Sequence, residues 1–203
     1  MKVINDDGVL AIAELAEAIG KTEVTRTLPN GKEVKQVVWT GDDLKQVATL
    51  LHNHSAEMPE VVKIDGAAPA WLVSALAHEC HPRNVSLNSP DGFVAVGCRR
   101  PTGAGEGIVF TVNNRKDGWT AVEFTIDPTK PLSPSQLDEI APPALPMGAK
   151  IILSGRGPNW LLASLVMSYH GTTKAVACFQ PGTGSTVTMT HSAEVELGQV
   201  IPE

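Results

Sequence analysis

Short blocks of apolar and polar residues recur along the chain and predict strands and helices in a repeated order. In the first half, residues 33–39 alternate like a strand, and Thr40-Gly41-Asp42-Asp43 offers a helix start before residues 44–52. The second half repeats this order with a strand at 120–126 and a helix opened by Ser133-Pro134. In each half a buried strand, a glycine-containing turn, an apolar helix and two further strands follow. The strands are predicted at residues 61–65, 93–98 and 108–112 and at residues 150–154, 174–179 and 186–191, with helices beginning near Trp71 and Trp160.

Two stretches lie outside this order. The first 30 residues predict a helix over residues 10–19 and a turn at Pro29-Asn30-Gly31, without a counterpart in the second half. Residues 127–146 are rich in proline and connect early elements of the second half. We therefore expect them to form an ordered loop rather than a domain linker.

The two apolar helices belong to an internal repeat. The segment KIDGAAPAWLVSALAHECH, from Lys63, matches ILSGRGPNWLLASLVMSYH, from Ile152, at a constant offset of 89 residues. A second match, at an offset of 80, aligns Ala95-Val96-Gly97-Cys98 with Ala175-Val176-Ala177-Cys178. We predict an α/β fold of two tandem sandwich units, residues 1–115 and 116–203, each with its own core and related by a pseudo-twofold axis. A ligand bound between them would be large or itself symmetric.

Composition narrows the function classes. The 203 residues are 42% hydrophobic and carry a formal net charge of −6, which argues against general binding to long nucleic acid, double-stranded DNA included. No apolar run reaches the ~18 residues that span a bilayer, and the acidic amino terminus is unlike a secretory signal. We expect a cytoplasmic protein. Cys80, Cys98 and Cys178 lie in apolar stretches, which indicates buried thiols rather than a disulfide or a zinc site.

The turn Ser154-Gly155-Arg156-Gly157-Pro158-Asn159 is the first candidate for chemistry. Glycines let backbone amides approach a ligand, and a helix start directs free N–H groups outward. Arg156 adds a charge and a forked donor that suit phosphate. The alternative is that the glycines only permit a tight turn. The first-half equivalent, Asp65-Gly66-Ala67-Ala68-Pro69, lacks the arginine and is expected to be the weaker anion site.

Histidines at the ends of elements are the second candidate. His170 ends the second apolar helix, His81 ends the first, and His191 ends a strand. Imidazole transfers protons near neutral pH or binds a metal, although a helix-terminal histidine is more often a cap or a surface residue. His78, one turn before His81, suggests a metal pair, but the second half has no matching ligand. The spacing alone therefore does not favour a metal there.

Two glycine-rich loops follow the strands that the shorter match aligns. One is Gln180-Pro181-Gly182-Thr183-Gly184-Ser185, and the other begins with Arg99-Arg100. A plain hairpin explains the glycines but not the paired arginines. These are either a solvated pair or half of a phosphate site.

The combination of SGRGPNWL, an apolar helix ending in Tyr169-His170, a short strand, a loop and a strand ending in His191-Ser192 resembles the Csx-three family of type III CRISPR accessory proteins. The resemblance covers residues 133–201 well and residues 61–112 more weakly. It implies distantly CARF-related α/β domains that assemble in pairs, bind cyclic tetra-adenylate and cleave it as ring nucleases. It also implies a manganese-dependent activity on RNA tails.

Carried over by position, the family's two histidines match His170 and His191, which the resemblance makes the catalytic residues. Gln180 stands at the family's aspartate and Gly182 at its arginine, while the first unit, a degenerate copy, keeps His81. The loss of the aspartate leaves any metal ligands unassigned. The expected ligand-binding residues are Ser154, Gly155, Arg156, Gly157, Asn159, Gln180, Gly182, Gly66, His81, Arg99 and Arg100.

Three functions remain open from the sequence. The first is a ring nuclease that degrades cyclic oligoadenylate through attack of the ribose 2′-hydroxyl, with short RNA as a related substrate. The second is a non-catalytic sponge or sensor for the same nucleotide, which the missing aspartate and arginine favour. The third is a protein-interaction scaffold. A fused tandem would replace the pair that single-unit relatives form, and association of further copies is a related expectation.

Overall fold

The computed structural model describes residues 3–27, 30–90, 92–97, 107–130 and 132–203, which form twelve strands and four α-helices. The strands are β1 (Val9–Ala11), β2 (Val24–Thr27), β3 (Glu33–Gln36), β4 (Val61–Asp65), β5 (Asn84–Ser89), β6 (Gly92–Val96), β7 (Ile108–Asn114), β8 (Thr120–Ile126), β9 (Ala149–Gly155), β10 (Thr173–Gln180), β11 (Gly184–Thr190) and β12 (Val200–Ile201). The helices are α1 (Ile12–Ala18), α2 (Gly41–Asn53), α3 (Ala70–Glu79) and α4 (Asn159–Ser168), with short 3₁₀ helices at Ser55–Glu57 and Pro134–Glu139. The α/β class predicted from the sequence is confirmed.

The first sheet has the order β1-β4-β5-β6, with β6 antiparallel to its neighbour and the other pairs parallel. Its strand β1 comes from the amino-terminal stretch for which the sequence predicted no counterpart, although it borders β4 as β8 borders β9. The strand predicted at residues 33–39 does not join this sheet, because β3 pairs with β2 in a separate hairpin. The strand itself is confirmed at Glu33–Gln36, but its expected place in the first unit's sheet was wrong, as was the lack of a counterpart for the amino-terminal stretch.

The second sheet has the order β12-β11-β10-β9-β8-β7. Strand β7, predicted to close the first unit, instead pairs with β8 along its whole length, from Ile108 opposite Ile126 to Asn114 opposite Thr120. The prediction for β7 was therefore wrong, since the short turn between the two strands favours a local hairpin. The unit boundary at residue 115 stays a prediction that falls within this hairpin.

The repeat at an offset of 89 extends further than its sequence match. In each half a central strand pairs in parallel with the strand that follows the apolar helix, β4 with β5 and β9 with β10. An antiparallel strand comes next in each sheet, β6 beside β5 and β11 beside β10. The match at an offset of 80 equates β6 with β10 and is wrong, because four similar residues carry no information on strand direction.

Helices α3 and α4 pack against each other between the two sheets. Helix α3 contacts β10 and β11 of the second sheet, and α4 contacts β5 and β6 of the first. Seven of the ten residues of α3 and nine of the ten residues of α4 are buried, so both helices are covered on all sides. One apolar cluster runs from Val3 to Met189 through both halves, which differs from the separate cores expected from the sequence.

Helix α2 begins as the sequence predicted. Thr40 is the N-cap, and its side chain accepts a hydrogen bond from the Asp43 N–H at 3.3 Å, while the Asp43 carboxylate accepts from the Thr40 N–H at 2.7 Å. Lys21, from the segment after α1, donates to the same carboxylate at 2.7 Å. The cap therefore also holds the amino-terminal segment against the first half.

Two expectations from composition concern burial. Cys80 and Cys178 are buried, as predicted, and burial raises the pKa of each thiol to about 12. Cys98 lies outside the described residues. Among the helices that the structure describes, none combines the length and apolar character needed to cross a membrane.

Candidate functional site

Four histidines from both halves of the chain meet at one end of the paired helices. His78 lies in the last turn of α3 and His81 two residues after that helix, while His170 lies two residues after α4 and His191 directly follows β11. The ring centroids are 4.6 Å apart for His81 and His170, 4.9 Å for His170 and His191, 5.1 Å for His78 and His170, and 5.6 Å for His78 and His191. We call this group the histidine cluster.

Backbone and side-chain hydrogen bonds hold the cluster in place. The His191 N–H donates to the Lys174 carbonyl at 2.8 Å, which fixes the end of β11 beside the start of β10. The neighbour of His170, Tyr169, is fully buried, and its hydroxyl donates to the Pro143 carbonyl at 2.8 Å. The proline-rich loop thereby anchors the end of α4. His78 and His170 are half-buried, whereas His81 and His191 are exposed.

Three of these histidines could hold a metal ion. The candidate nitrogens of His78, His170 and His191 all lie within 4.8 Å of one another. His78 Nδ1 is 3.0 Å from a carboxylate oxygen of Glu79. Because a carboxylate only accepts, that contact places the proton on Nδ1 and leaves the Nε2 lone pair free.

The protonation of His170 is biased by its surroundings. Burial lowers the pKa of His170 to about 4, and the neighbouring imidazoles of His78, His81 and His191 act in the same direction. His170 is therefore neutral at pH 7. A neutral imidazole has one nitrogen to donate and one to accept, which suits either contact with a reacting group or metal binding.

The turn between β9 and α4 lies at the opposite edge of the second sheet. A side chain at Gly155 would lie 2.5 Å from the Phe124 carbonyl oxygen, and one at Gly157 would meet Ile126 and Leu161 at 3.1 and 3.2 Å. Both glycines are therefore required for packing, which supports the alternative that they permit a tight turn rather than bind a ligand. Arg156, between them, is exposed.

The first-half turn shows the same packing against a different element. A side chain at Gly66 would lie 3.0 Å from Ile12 Cβ of α1. This turn also lines a cleft of about 750 Å³ that lies between the start of α3, the β2–β3 hairpin and the end of β10. We call it the hairpin cleft. Of the expected ligand-binding residues, Gly66 and Gln180 line it.

The walls of the hairpin cleft suit an anionic ligand with an apolar part. Arg26 and Lys35 of the hairpin contribute positive charge, and the first N–H groups of α3 have no partner within the helix. Trp39 is 8% exposed, and its indole N–H has no hydrogen-bond partner among the residues that the structure describes. Glu23 is a counteracting negative charge on the same wall.

The structure separates the expected catalytic residues from most of the expected ligand-binding residues. His191 lies beside Lys174 at the start of β10, and Gln180 ends the same strand six residues later. At ~3.3 Å per residue the two ends of the strand are ~20 Å apart. Ser154, Asn159 and Gly182 lie at the edge that Gln180 shares, where Gly182 forms the β10–β11 turn.

The histidine cluster contains the three histidines that the sequence analysis named together as candidates, and it adds a fourth. His81, His170 and His191 are brought together, while Arg99 and Arg100 lie outside the described residues. His78 was not predicted to join His170 and His191. The available signal was the pair of histidines one turn apart at the end of α3, which was discounted because the second half has Met167 at the position of His78.

Comparison with known proteins identifies a family model and a relative that match parts of the chain. A family model described as CRISPR-associated protein (Cas_csx3) matches residues 125–202. A protein of Aquifex aeolicus (strain VF5), described as uncharacterized, is 35% identical over 101 residues, which is 47% of this chain and 88% of the relative. The matched segment of the family model includes α4, the loop after β10, His170 and His191.

Proposed function

Because the chain belongs to the CRISPR-associated Cas_csx3 family, we propose that it binds cyclic oligoadenylate, and cyclic tetra-adenylate first among these rings, and cleaves it. The observation that carries the proposal is the histidine cluster, in which both halves of the chain contribute to one group of proton-transferring side chains. The resemblance to ring nucleases supports the choice of substrate. Membership of the family by itself supports only a CRISPR-associated role.

The proposed reaction is a transesterification within the RNA ring. The ribose 2′-oxygen attacks the adjacent phosphorus as its proton leaves to a base, and the bond to the 5′-oxygen breaks as that oxygen takes up a proton. The product is a linear oligoadenylate with a 2′,3′-cyclic phosphate end. The protein needs only to align the attacking and leaving oxygens and to move one proton in each direction.

His191 is the best candidate for the base or the acid, since it is exposed and can reach a substrate. His170 lies 4.9 Å away by ring centroid and is held neutral, so it can assist as a hydrogen-bonding partner to the phosphate or the ribose. His81, 4.6 Å from His170, extends the same group towards solvent.

Binding of the ring is proposed at the other edge of the sheet. Gly66 and Gln180 line the hairpin cleft, and the turn bearing Arg156 lies at the edge of the sheet where β9 and β10 end. Since this edge is ~20 Å from the histidine cluster of the same chain, cleavage of a ring held there would require the histidines of a second copy. We therefore include self-association in the proposal.

Manganese, which the family resemblance implies, fits this site poorly. The metal-type group that the described residues form is three imidazoles without a carboxylate, whereas manganese prefers oxygen ligands. The family's aspartate position is Gln180, at the far end of β10. No step of the proposed reaction is therefore assigned to manganese.

The test is incubation of the purified protein with cyclic tri-, tetra- and hexa-adenylate, followed by chromatography of bound ligand and products. Linear products that disappear in His191→Ala, with ring binding retained, would support the nuclease. His52→Ala is the matched control, because His52 is an exposed histidine on α2. Cleavage that is unchanged in His191→Ala would refute the assigned site.

A non-catalytic binder is the second candidate. Gln180 and Gly182 replace the aspartate and the arginine that the family resemblance places in this loop, and neither replacement can carry a proton or a charge. Tight ring binding without products, in wild type as in His191→Ala, would identify a sponge or sensor. Absence of both binding and cleavage would leave the interaction scaffold.

A further inference from the structure

The histidine cluster has the dimensions of a transition-metal site. Zinc binds imidazole nitrogens at ~2.0–2.1 Å, so three tetrahedral ligand atoms lie ~3.4 Å from one another. The nitrogens of His78, His170 and His191 already lie within 4.8 Å of one another. Because His191 is exposed, its side chain can close the remaining gap without disturbing the core.

The carboxylate beside His78 supports the same reading. Metal-bound histidines usually donate their second N–H to a carboxylate or carbonyl, which orients the ring and raises its basicity. Glu79 accepts from His78 Nδ1 at 3.0 Å, and both side chains are largely buried, at 22% and 13% exposure.

We infer that His78, His170 and His191 bind one zinc-type divalent ion, in preference to manganese, through three imidazole nitrogens with a fourth position open to solvent. Imidazole donors suit zinc, copper, nickel and iron, whereas manganese and magnesium prefer carboxylates and carbonyls. The first half supplies a ligand that has no equivalent in the second half, where Met167 occupies the matching place. The site therefore arises from the divergence of the two halves.

This inference does not depend on cleavage, so it and the proposed function can fail separately. The two are linked through the lone pairs of the imidazoles. A nitrogen that binds a metal cannot also accept a proton, so a bound zinc-type ion should inhibit cleavage if His170 and His191 act as proposed. Activation by zinc would instead support the site and refute the proton-transfer roles.

The test is titration of chelator-treated protein with Zn²⁺, Co²⁺ and Mn²⁺ by calorimetry, together with the visible absorption of the Co²⁺ form. We expect one Zn²⁺ or Co²⁺ per chain, a tetrahedral Co²⁺ spectrum and binding of Mn²⁺ at least tenfold weaker. His78→Gln should abolish the spectrum, whereas His81→Gln, the matched control at the same helix end, should retain it. Glu79→Gln should weaken binding by about 10- to 100-fold.

Three results would overturn the inference: Mn²⁺ binding as tight as Zn²⁺ binding, no Zn²⁺ binding by the wild type, or a Co²⁺ spectrum unchanged in His78→Gln. Circular dichroism and thermal melting of each variant without metal would show that it is folded. His191→Gln is a second variant for the same test, because this exposed side chain can be changed without loss of the core. It should lose the spectrum as His78→Gln does.

Discussion

Substitution of Gly155 by alanine separates a packing role from a ligand-binding role in the turn before α4. The new Cβ would lie 2.5 Å from the Phe124 carbonyl oxygen and 2.7 Å from two carbons of the Phe124 ring. Phe124 lies opposite Gly155 in the paired strands β8 and β9, so neither partner can rotate away. Such overpacking typically costs about 1–3 kcal/mol. For a chain of this size that lowers the melting temperature by roughly 2–12 °C.

The assay is thermal melting of Gly155→Ala without nucleotide, followed by ring binding. Gly171→Ala is the matched control, because nothing lies within 4 Å of its Cβ position. We expect the control to melt within about 2 °C of wild type. A Gly155→Ala protein that melts like the control would refute the packing argument. If that protein had also lost ring binding, the glycine would be needed for the ligand instead.

Three further predictions concern the cap, the core and the assembly. Burial raises the pKa of Asp43, but the hydrogen bonds from Lys21 and Thr40 and the charge of Lys21 outweigh burial and hold the pKa of this carboxyl below its ordinary value. Asp43→Asn should therefore lower the free energy of unfolding by about 1–3 kcal/mol at pH 7. The difference from wild type should shrink as the pH falls through the pKa of Asp43 in the folded state, because the wild-type carboxylate is then protonated. Equal urea midpoints of the two proteins at pH 7 would contradict this prediction. Ser164 is 2% exposed, and its hydroxyl has no hydrogen-bond partner among the described residues. Ser164→Ala should therefore leave the free energy of unfolding unchanged or raise it in the same urea assay. A decrease of more than about 1 kcal/mol would show that the hydroxyl does have a partner. If one copy binds the ring and another cleaves it, mixing equal amounts of inactive His191→Ala and binding-deficient Arg156→Ala should restore about a quarter of wild-type cleavage. Half of the pairs would then be mixed, and each mixed pair would have one intact site of two. No recovery of cleavage would refute that arrangement.

The local elements were predictable from the sequence, but several strand partners were not. The start of α2 at Thr40 follows from side-chain chemistry within four residues, and the apolar run after Trp160 specifies a buried helix. By contrast, β1 has only three residues, too few for periodicity to distinguish a strand from the start of α1. Its place in the sheet depends on pairing with β4, more than 50 residues later in the chain.

The site was only partly predictable for a related reason. His81 and His170 stand out because the repeat places them at the same position in both halves. The same reasoning gives no weight to His78, whose counterpart is Met167, although packing of α3 on α4 brings it within 5.1 Å of His170 by ring centroid. Comparison between the two repeats detects residues that both halves share, whereas this cluster also includes a histidine that only the first half has.

The exchange of helices between the sheets has a consequence for synthesis of the protein. Because α3 packs on β10 and β11 as well as on α2 and β4, a ribosome that has released only the first half exposes the apolar face of α3 that packs on strands not yet made. The apolar face of α3 is then buried only after the second half has been synthesised, and until then a chaperone or transient contacts within the nascent chain must cover it. Two separately encoded halves would have to associate before each helix could bury its apolar face, whereas the covalent link brings each helix to its sheet at high local concentration.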